Sequence, residues 1–464
     1  MRGPCRIKGG RDAKRLNAGA YALHHAFFSL PFLLSNFLQT LYGLGDLFVI
    51  GLYNGAEVTT AVSVGSQIMH MLTVMITGLA MGSTVMLSRA VGRGDRAAAS
   101  RTIGNTVTVF LTISLALAAG LIFAAEPILQ AVSTPAASFE EAKTYLIVCF
   151  AGIPFIVAYN IISAIYRGLG DSRTPLYFVA VACACNILLD FLFVGPLGMR
   201  AAGAAVATVA AQAISVVVAL VAIRRRPGAL SFSKADLRPQ RAALGGIAAV
   251  GLPVALQDGL IQVSFLVITA IANGRGVPMA AAVGIVEKII GILFLVPSAM
   301  LSAVSAVAAQ NLGAEQPGRA RQALRYGVVI TVGYGAVLAL LFQFLAAPVV
   351  SLFSREAEVI TYGGQYLTTY VFDCLFAGIH FCFSGYFCAR GLSLLSFAHN
   401  ITSVLLVRIP LAYLATLYFP ATLYEMGMAS TLGSVLSSLI CLGAYLLLCR
   451  HDRKKPRNRS IASL

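Results

Sequence analysis

The chain alternates between long apolar stretches and short polar breaks. A helix needs about 20 mostly apolar residues to cross a bilayer. Twelve stretches reach that length, at about 20–50, 57–88, 102–125, 143–166, 174–195, 201–223, 243–272, 277–309, 322–347, 362–389, 394–418 and 425–449. Turn formers separate them: Asn54-Gly55, Gly92-Arg93-Gly94-Asp95, Gly170-Asp171, Gly195-Pro196 and Asn273-Gly274. The pattern predicts an all-α polytopic membrane protein with twelve transmembrane helices.

Landmarks recur along this pattern at a nearly constant distance. Pro31 is matched by Pro253 at 222 residues, Ala61-Val62 by Ala282-Val283 at 221, and Gly92 by Gly313 at 221. Arg167-Gly168-Leu169 recurs as Arg390-Gly391-Leu392 at 223. Each copy holds an even number of crossings, so both copies enter the membrane in the same direction. They are parallel repeats about an axis along the membrane normal. The expected organisation is an N-terminal tail at 1–19, a first six-helix lobe at 20–223, a linker at 224–242, a second lobe at 243–449 and a C-terminal tail at 450–464. Two such lobes around a central cleft suit rocking about a site near mid-membrane. No filter loop or re-entrant segment of a channel is readable.

Composition narrows the class. Of 464 residues, 58% are apolar and 11% charged, against about 25% charged in soluble domains. That excludes an ordinary soluble enzyme and a disordered scaffold. The net charge of +16 raises the question of nucleic acid, which the placement of the charges answers. Of the 34 Lys and Arg, 28 fall in the two tails, the linker and the loops on their side. Only Lys143, Arg200, Arg275 and Arg355 fall on the other, and Lys288 and Arg408 lie within helices. By the positive-inside rule both termini are cytoplasmic. The expected location is the plasma membrane, the inner membrane in a bacterium. Lys454-Lys455 and Arg224–Arg226 then read as membrane-surface anchors, so the expected partners are lipids, with no nucleic acid. The basic stretch Met1–Asn17 lacks a short signal core and cleavage site and reads as a retained tail. The nine cysteines form no framework of spaced pairs. Cys149, Cys183, Cys185, Cys374, Cys382, Cys388 and Cys441 sit in apolar runs as small hydrophobes, and neither a metal site nor a disulfide is expected.

Polar residues inside the spans need a reason, because a charge at the bilayer centre costs at least about 2.5–3.5 kcal/mol. Asn36, Gln39, Tyr42 and Asp46 are spaced 3, 3 and 4 apart and share one face of the first helix. Asn186 and Asp190, an i,i+4 pair, share a face of the fifth. A carboxylate in a low-dielectric cavity binds its proton more tightly than in water, and a second acid nearby strengthens the effect. Such a pair can load and release a proton, or hold a monovalent cation. The competing reading is an acid near a helix end reaching the headgroups. Two acids on polar stripes in one lobe favour ion coupling. The candidates for a substrate cavity are Asn36, Gln39, Tyr42, Gln67 on the second helix, and Asp258 with Gln262 on one face of the seventh. Glu287 with Lys288 or Arg408 reads as a neutralised structural pair, while Asp373 and Asn400 are unassigned. His70 and His380 read as hydrogen-bonded packing. Met69, Met71, Met75, Met81 and Met86 read as packing too.

Several of these segments resemble the multidrug and toxic compound extrusion (MATE) family. They are Pro31, Leu44-Gly45-Asp46-Leu47-Phe48-Val49-Ile50-Gly51, Gly78–Ser83 leading to Ser88–Gly92, and Arg167–Pro175. Asn186-Ile187-Leu188-Leu189-Asp190 with Gly203–Thr208, and Ala308–Ala314 in the second half, complete the set. The resemblance runs from about residue 20 to 450. It implies a monomeric twelve-helix, two-lobe antiporter that expels organic, often cationic compounds on an inward proton or sodium gradient, without a cofactor. In the DinF-like branch the cation site lies in the N-terminal lobe, which here implies Asp46, Asn186, Asp190 and Thr208. The NorM-like branch adds C-lobe carboxylates on its seventh and tenth helices. Asp258 and Gln262 are the nearest seventh-helix candidates, and Asp373 lies too far before Arg390-Gly391 to fit, which favours the DinF-like branch.

Three other classes compete. A flippase for lipid-linked precursors or a polysaccharide exporter of the wider superfamily would carry extra helices or a strongly cationic cavity, and here only Lys288 and Arg408 are embedded cations. A major-facilitator transporter shares the six-plus-six plan, but Gly92-Arg93-Gly94-Asp95-Arg96 matches its second loop only superficially. An enzyme is least supported, with no Walker loop, metal-ligand cluster or nucleophile triad readable.

Overall fold

The computed structural model describes residues 18–225 and 233–454, with side chains from Ser29 onward except those of Lys234, Arg453 and Lys454. The predicted tail at Met1–Asn17, Arg226 in the linker and the segment from Lys455 on lie outside the described residues. The first half contains α1 (Ala18–Tyr53), α2 (Ala56–Arg93), α3 (Arg96–Ala131), α4 (Phe139–Ala151), α5 (Ile153–Gly168), α6 (Arg173–Val194) and α7 (Arg200–Arg225). The second contains α8 (Arg241–Asn273), α9 (Val277–Leu293), α10 (Leu295–Gly313), α11 (Pro317–Val350), α12 (Ala357–Tyr370), α13 (Asp373–Ala389), α14 (Ser393–Ser403), α15 (Ile409–Tyr418) and α16 (Tyr424–Lys454). Among the described residues these make twelve spans, counting each bent pair as one.

Most spans are longer than their apolar stretches, and four are interrupted. In the fourth span of each half the chain bends, by 49° between α4 and α5 and by 41° between α12 and α13. The same break in both halves is what a parallel repeat requires. The eighth span is broken at Phe294 between α9 and α10, and a π-helical turn, Val404–Arg408, joins α14 to α15. Local chemistry sets the ends. Gly94, at φ 73°, stops α2, and the Asp95 carboxylate accepts the Ala98 N–H at 2.9 Å to start α3, as an N-cap should. The structure corrects the last repeat landmark. Gly170 (φ 88°) and Gly391 (φ 75°) are the equivalent left-handed turns that follow α5 and α13, so the offset is 221 there too and Arg390 corresponds to Leu169, not Arg167.

Apolar side chains on α3 and α11 face outward, Phe123 being 86% and Phe344 77% exposed, as lipid contact demands. Small residues carry the contacts between the halves, as in other membrane bundles. α2 packs most extensively on α8. A Cβ on Gly82 would lie 2.1 Å from the Ile247 carbonyl, and one on Gly251 would lie 2.3 Å from that of Leu79. α10 closes on the end of α2 beside them. These contacts occupy the half of the bundle that carries the basic loops, so the lobes meet there. Gly82→Val cannot keep this crossing without separating the backbones. Overpacking this crossing is expected to cost about 1–3 kcal/mol, read as a lowered unfolding midpoint of the detergent-solubilised protein. A wild-type midpoint in this variant would show that the approach is dispensable.

The linker is docked rather than free where it is described. Asn105 and Thr108 of α3 donate to the carbonyls of Asp236 and Leu237 at 3.1 and 2.8 Å, and the Gln240 N–H donates to Asn105 at 2.7 Å. Backbone and hydroxyl donors of Ser233, both at 2.8 Å, hold the Asp236 carboxyl below the usual carboxylate range. At the other end α16 continues into the predicted C-terminal tail. There Asp452 accepts two hydrogen bonds from Arg390, at 2.8 and 3.0 Å, and one from Arg321 at 3.1 Å.

Candidate functional site

Three helices of the first lobe bring the implied ion-site residues together. α1 lies against α6, Gly45 facing Ile187, and α7 packs on α6. Asp46 comes from α1, Asn186 and Asp190 from α6, and Thr208 from α7. The Thr208 hydroxyl donates to Asp46 Oδ2 at 3.2 Å and accepts from Asn186 Nδ2 at 3.4 Å. Asp190 and Asn186 lie directly beside the Asp46 carboxyl. Asp46 is 3% exposed, Asn186 1% and Asp190 0%. Asp46 Oδ1, Asn186 Oδ1 and both oxygens of Asp190 have no hydrogen-bond partner. Buried polar atoms are normally satisfied, and two adjacent buried carboxylates cannot both stay charged and bare. The cluster therefore fits a group that supplies positive charge: a proton shared between the acids, or a small cation held by the four free oxygens.

The other N-lobe candidates separate into two places. Tyr42 stands beside Asp46, Tyr159 and Gln212. Asn36 and Gln39 line a second polar cavity nearer the basic-loop end, with Thr77, Tyr159, Asn160 and Arg167. Thr77 donates to Asn160 Oδ1 at 3.1 Å, and the Arg167 guanidinium lies 6.0 Å from the Phe32 ring centroid. No acidic residue lines this cavity among the described residues. The remaining candidates are elsewhere. Gln67 is exposed on α2. Asp258 meets α2 where Gly78 leaves room, its Oδ2 2.8 Å from where a Cβ would be, and Gln262 is half-buried one turn along α8.

The second lobe holds its own charged cluster. Tyr366 donates to Glu287 at 3.1 Å, and Arg408 donates to the Tyr370 hydroxyl. The Arg408 guanidinium lies 4.6 Å from the Phe265 ring centroid, a cation–π contact. Asp373 is buried nearby and interacts with the same guanidinium. Arg408, offered by the π-turn, is thus the charge that Glu287 and Asp373 share. Lys288 is exposed, because its neighbouring position on the helix points elsewhere, and is not that partner. His380 packs against His399 at 5.6 Å between ring centroids. His399 joins Ser384 and Ser437, at 2.8 and 3.2 Å.

Sequence reasoning missed several of these groups. Arg167 enters the sequence reading as a repeat landmark, although its place at a helix end next to polar positions 159, 160 and 163 is a readable signal. His399, Tyr366, Tyr370 and Gln212 carried none, since each is an ordinary residue of an apolar helix until its neighbours are known.

Comparison with known proteins agrees with this architecture. The MatE family model matches twice, over residues 31–192 and 253–414, one match in each half. A probable multidrug resistance protein of Bacillus subtilis, YpnP, is 30% identical over 428 residues, covering 92% of this chain and 94% of its own. The FAD transporter of Shewanella oneidensis is 26% identical over 397 residues, covering 84% and 86%. The Vibrio cholerae MATE transporter VcmN in its bent form is similar in fold, with a TM-score of 0.85 at 20% identity over 94% of this chain and 98% of that one. With both halves matched and a relative at this identity over nearly the whole length, the chain belongs to the MatE family of multi-pass, non-enzymatic membrane transporters.

Proposed function

We propose that this protein is a secondary active antiporter that exports organic compounds, cationic ones among them, in exchange for an inward flow of protons or sodium. One observation carries the reading: Asp46, Asn186, Asp190 and Thr208 converge with four buried oxygens free. When the N-lobe acids take an ion from outside, substrate is released outward. When they lose it to the inside, the lobe is reset for loading. The two lobes rock about the cleft, with the linker docked on α3 and the α2–α8 crossing as the contact that opens and closes. Both termini and the linker lie in the cytoplasm of a plasma-membrane monomer. The lobes span 20–223 and 243–449. Asn36, Gln39 and Tyr42 line the path the compound takes within the N-lobe, and Asp258 and Gln262 contribute from the facing wall of the cleft.

The experiment is flux in proteoliposomes with proton and sodium gradients imposed separately. Ethidium efflux is expected to accelerate under one of the two and to stay at the leak rate with neither. Equal flux under all conditions would refute coupling. A second reading, export of a compound bearing a phosphate or carboxylate, is favoured by Arg167 in a cavity without acids. Adding FAD to the same vesicles decides it, since saturable FAD flux is expected only if that reading holds.

A further inference from the structure

At the basic-loop end the lobes are joined by two contacts related by the internal repeat. In one, the guanidinium of Arg89, near the end of α2, donates from Nε and Nη2 to the Ala389 carbonyl at 3.0 and 2.6 Å. Ala389 ends α13, and the chain then turns through Gly391, where a Cβ would lie 3.2 Å from Arg89 Nη2. In the other, Gln310 of α10, 221 positions on from Arg89, covers the turn that follows α5. A Cβ on Gly170 would lie 3.0 Å from Gln310 Nε2. Between the two, the helices touch backbone to backbone. A Cβ on Gly92 would be 2.0 Å from the Gln310 carbonyl, and one on Gly313 would be 2.3 Å from that of Arg89. The halves differ in one respect. Gln310 is neutral, whereas Arg89 places a cation on the negative end of a helix and makes two charge-assisted hydrogen bonds to it.

We propose that Arg89 is a positioning residue for transport: it latches the N-lobe to the end of α13, and the strength of this latch sets how often the protein opens on the basic-loop side. The proposal rests on the antiport reading, in which compounds load from that side. Loading requires the Arg89–Ala389 hydrogen bonds to break, and release on the far side requires them to re-form. A side chain of similar size without donors destabilises only the closed arrangement, so the open one gains population. Apparent affinity from the basic-loop side scales with the fraction of open molecules. KM for export therefore falls as the latch weakens, while the maximal rate falls because re-closure is less favourable.

The test uses the full chain in proteoliposomes, comparing wild type with Arg89→Met and Arg89→Lys. Hydrogen–deuterium exchange is expected to rise several-fold in Arg89→Met over residues 310–316 and 387–393, and to stay near wild type in Arg89→Lys. Ethidium export by Arg89→Met is expected to show KM lowered about 3–10-fold, the scaling of affinity with open population, together with a reduced maximal rate. A mere packing defect would reduce the rate with KM unchanged or raised, and lysine would not rescue it. That result, or unchanged exchange at both segments, overturns the latch. If Arg89→Met does not fold, Arg89→Gln, which repeats the Gln310 side chain at the related position, carries the same test with a smaller shift. If wild type exports no ethidium under any gradient, the antiport reading has failed, and the exchange comparison still decides the latch.

Discussion

Asp190→Asn is expected to uncouple transport while leaving the protein folded and inserted. Asparagine has nearly the shape of aspartate, and Asp190 is 0% exposed with no donor to either oxygen, so the packing around it is kept. What disappears is the ability to carry a negative charge beside Asp46. Coupling free energies between sites typically amount to about 1–3 kcal/mol, a 5–150-fold effect. Gradient-driven ethidium flux should fall by a factor in that range, while exchange down a substrate gradient continues. Asp46→Asn should give the same result, and the double variant should lose little more, because residues that act as one unit are not additive. The measurement is flux with and without an imposed ion gradient, alongside a size-exclusion profile for folding. An Asp190→Asn variant that still responds fully to the gradient would remove the N-lobe acids from the mechanism.

Arg408→Met is expected to be the most destabilising single substitution in the second lobe. Arg408 is 8% exposed, bonds Tyr370 and stacks over Phe265. Its charge is shared by Glu287 and Asp373, which have buried oxygens without partners. Methionine fills a similar volume but removes the only cation of the cluster among the described residues. Breaking a buried ion network by deleting one partner costs about 3–5 kcal/mol, because the remaining charges stay buried. Thermal unfolding followed by circular dichroism at 222 nm should show a clearly lowered midpoint. Lys288→Met, on the exposed side of α9 and away from the cluster, removes a charge with no buried partner and should not lower the midpoint. Equal midpoints for the two variants would show that Arg408 has no special role.

These two residues illustrate what could be read early. Asp46 and Asp190 stand out because an acid in an apolar run is costly wherever it points, and their helical stripes already narrowed the facing direction. Arg408 stands out for the same reason, and Glu287 pairs on paper with it or with Lys288; which of the two cations is the partner is what the sequence leaves open. Lys288 is adjacent to Glu287 in sequence yet diverges from it around the helix, whereas Arg408 reaches the cluster through Tyr370 from a distant span. The tyrosines between them gave no signal at all. Gln67, a polar position on the second span, is left exposed by the fold.

The amino-acid sequence by itself determined the twelve spans, the parallel repeat and the short set of acids and amides able to bind an ion. These depend on local quantities, namely the apolar length needed to cross a bilayer, the even number of crossings per copy and the cost of a buried charge. Only the tertiary structure decided which of those polar residues share a site, that the α2–α8 crossing relies on glycine, and that Arg89 reaches the opposite lobe. Each of these depends on the distance between helices remote in sequence. Close packing fixes such distances to fractions of an ångström, and hydropathy and spacing along one helix do not contain them.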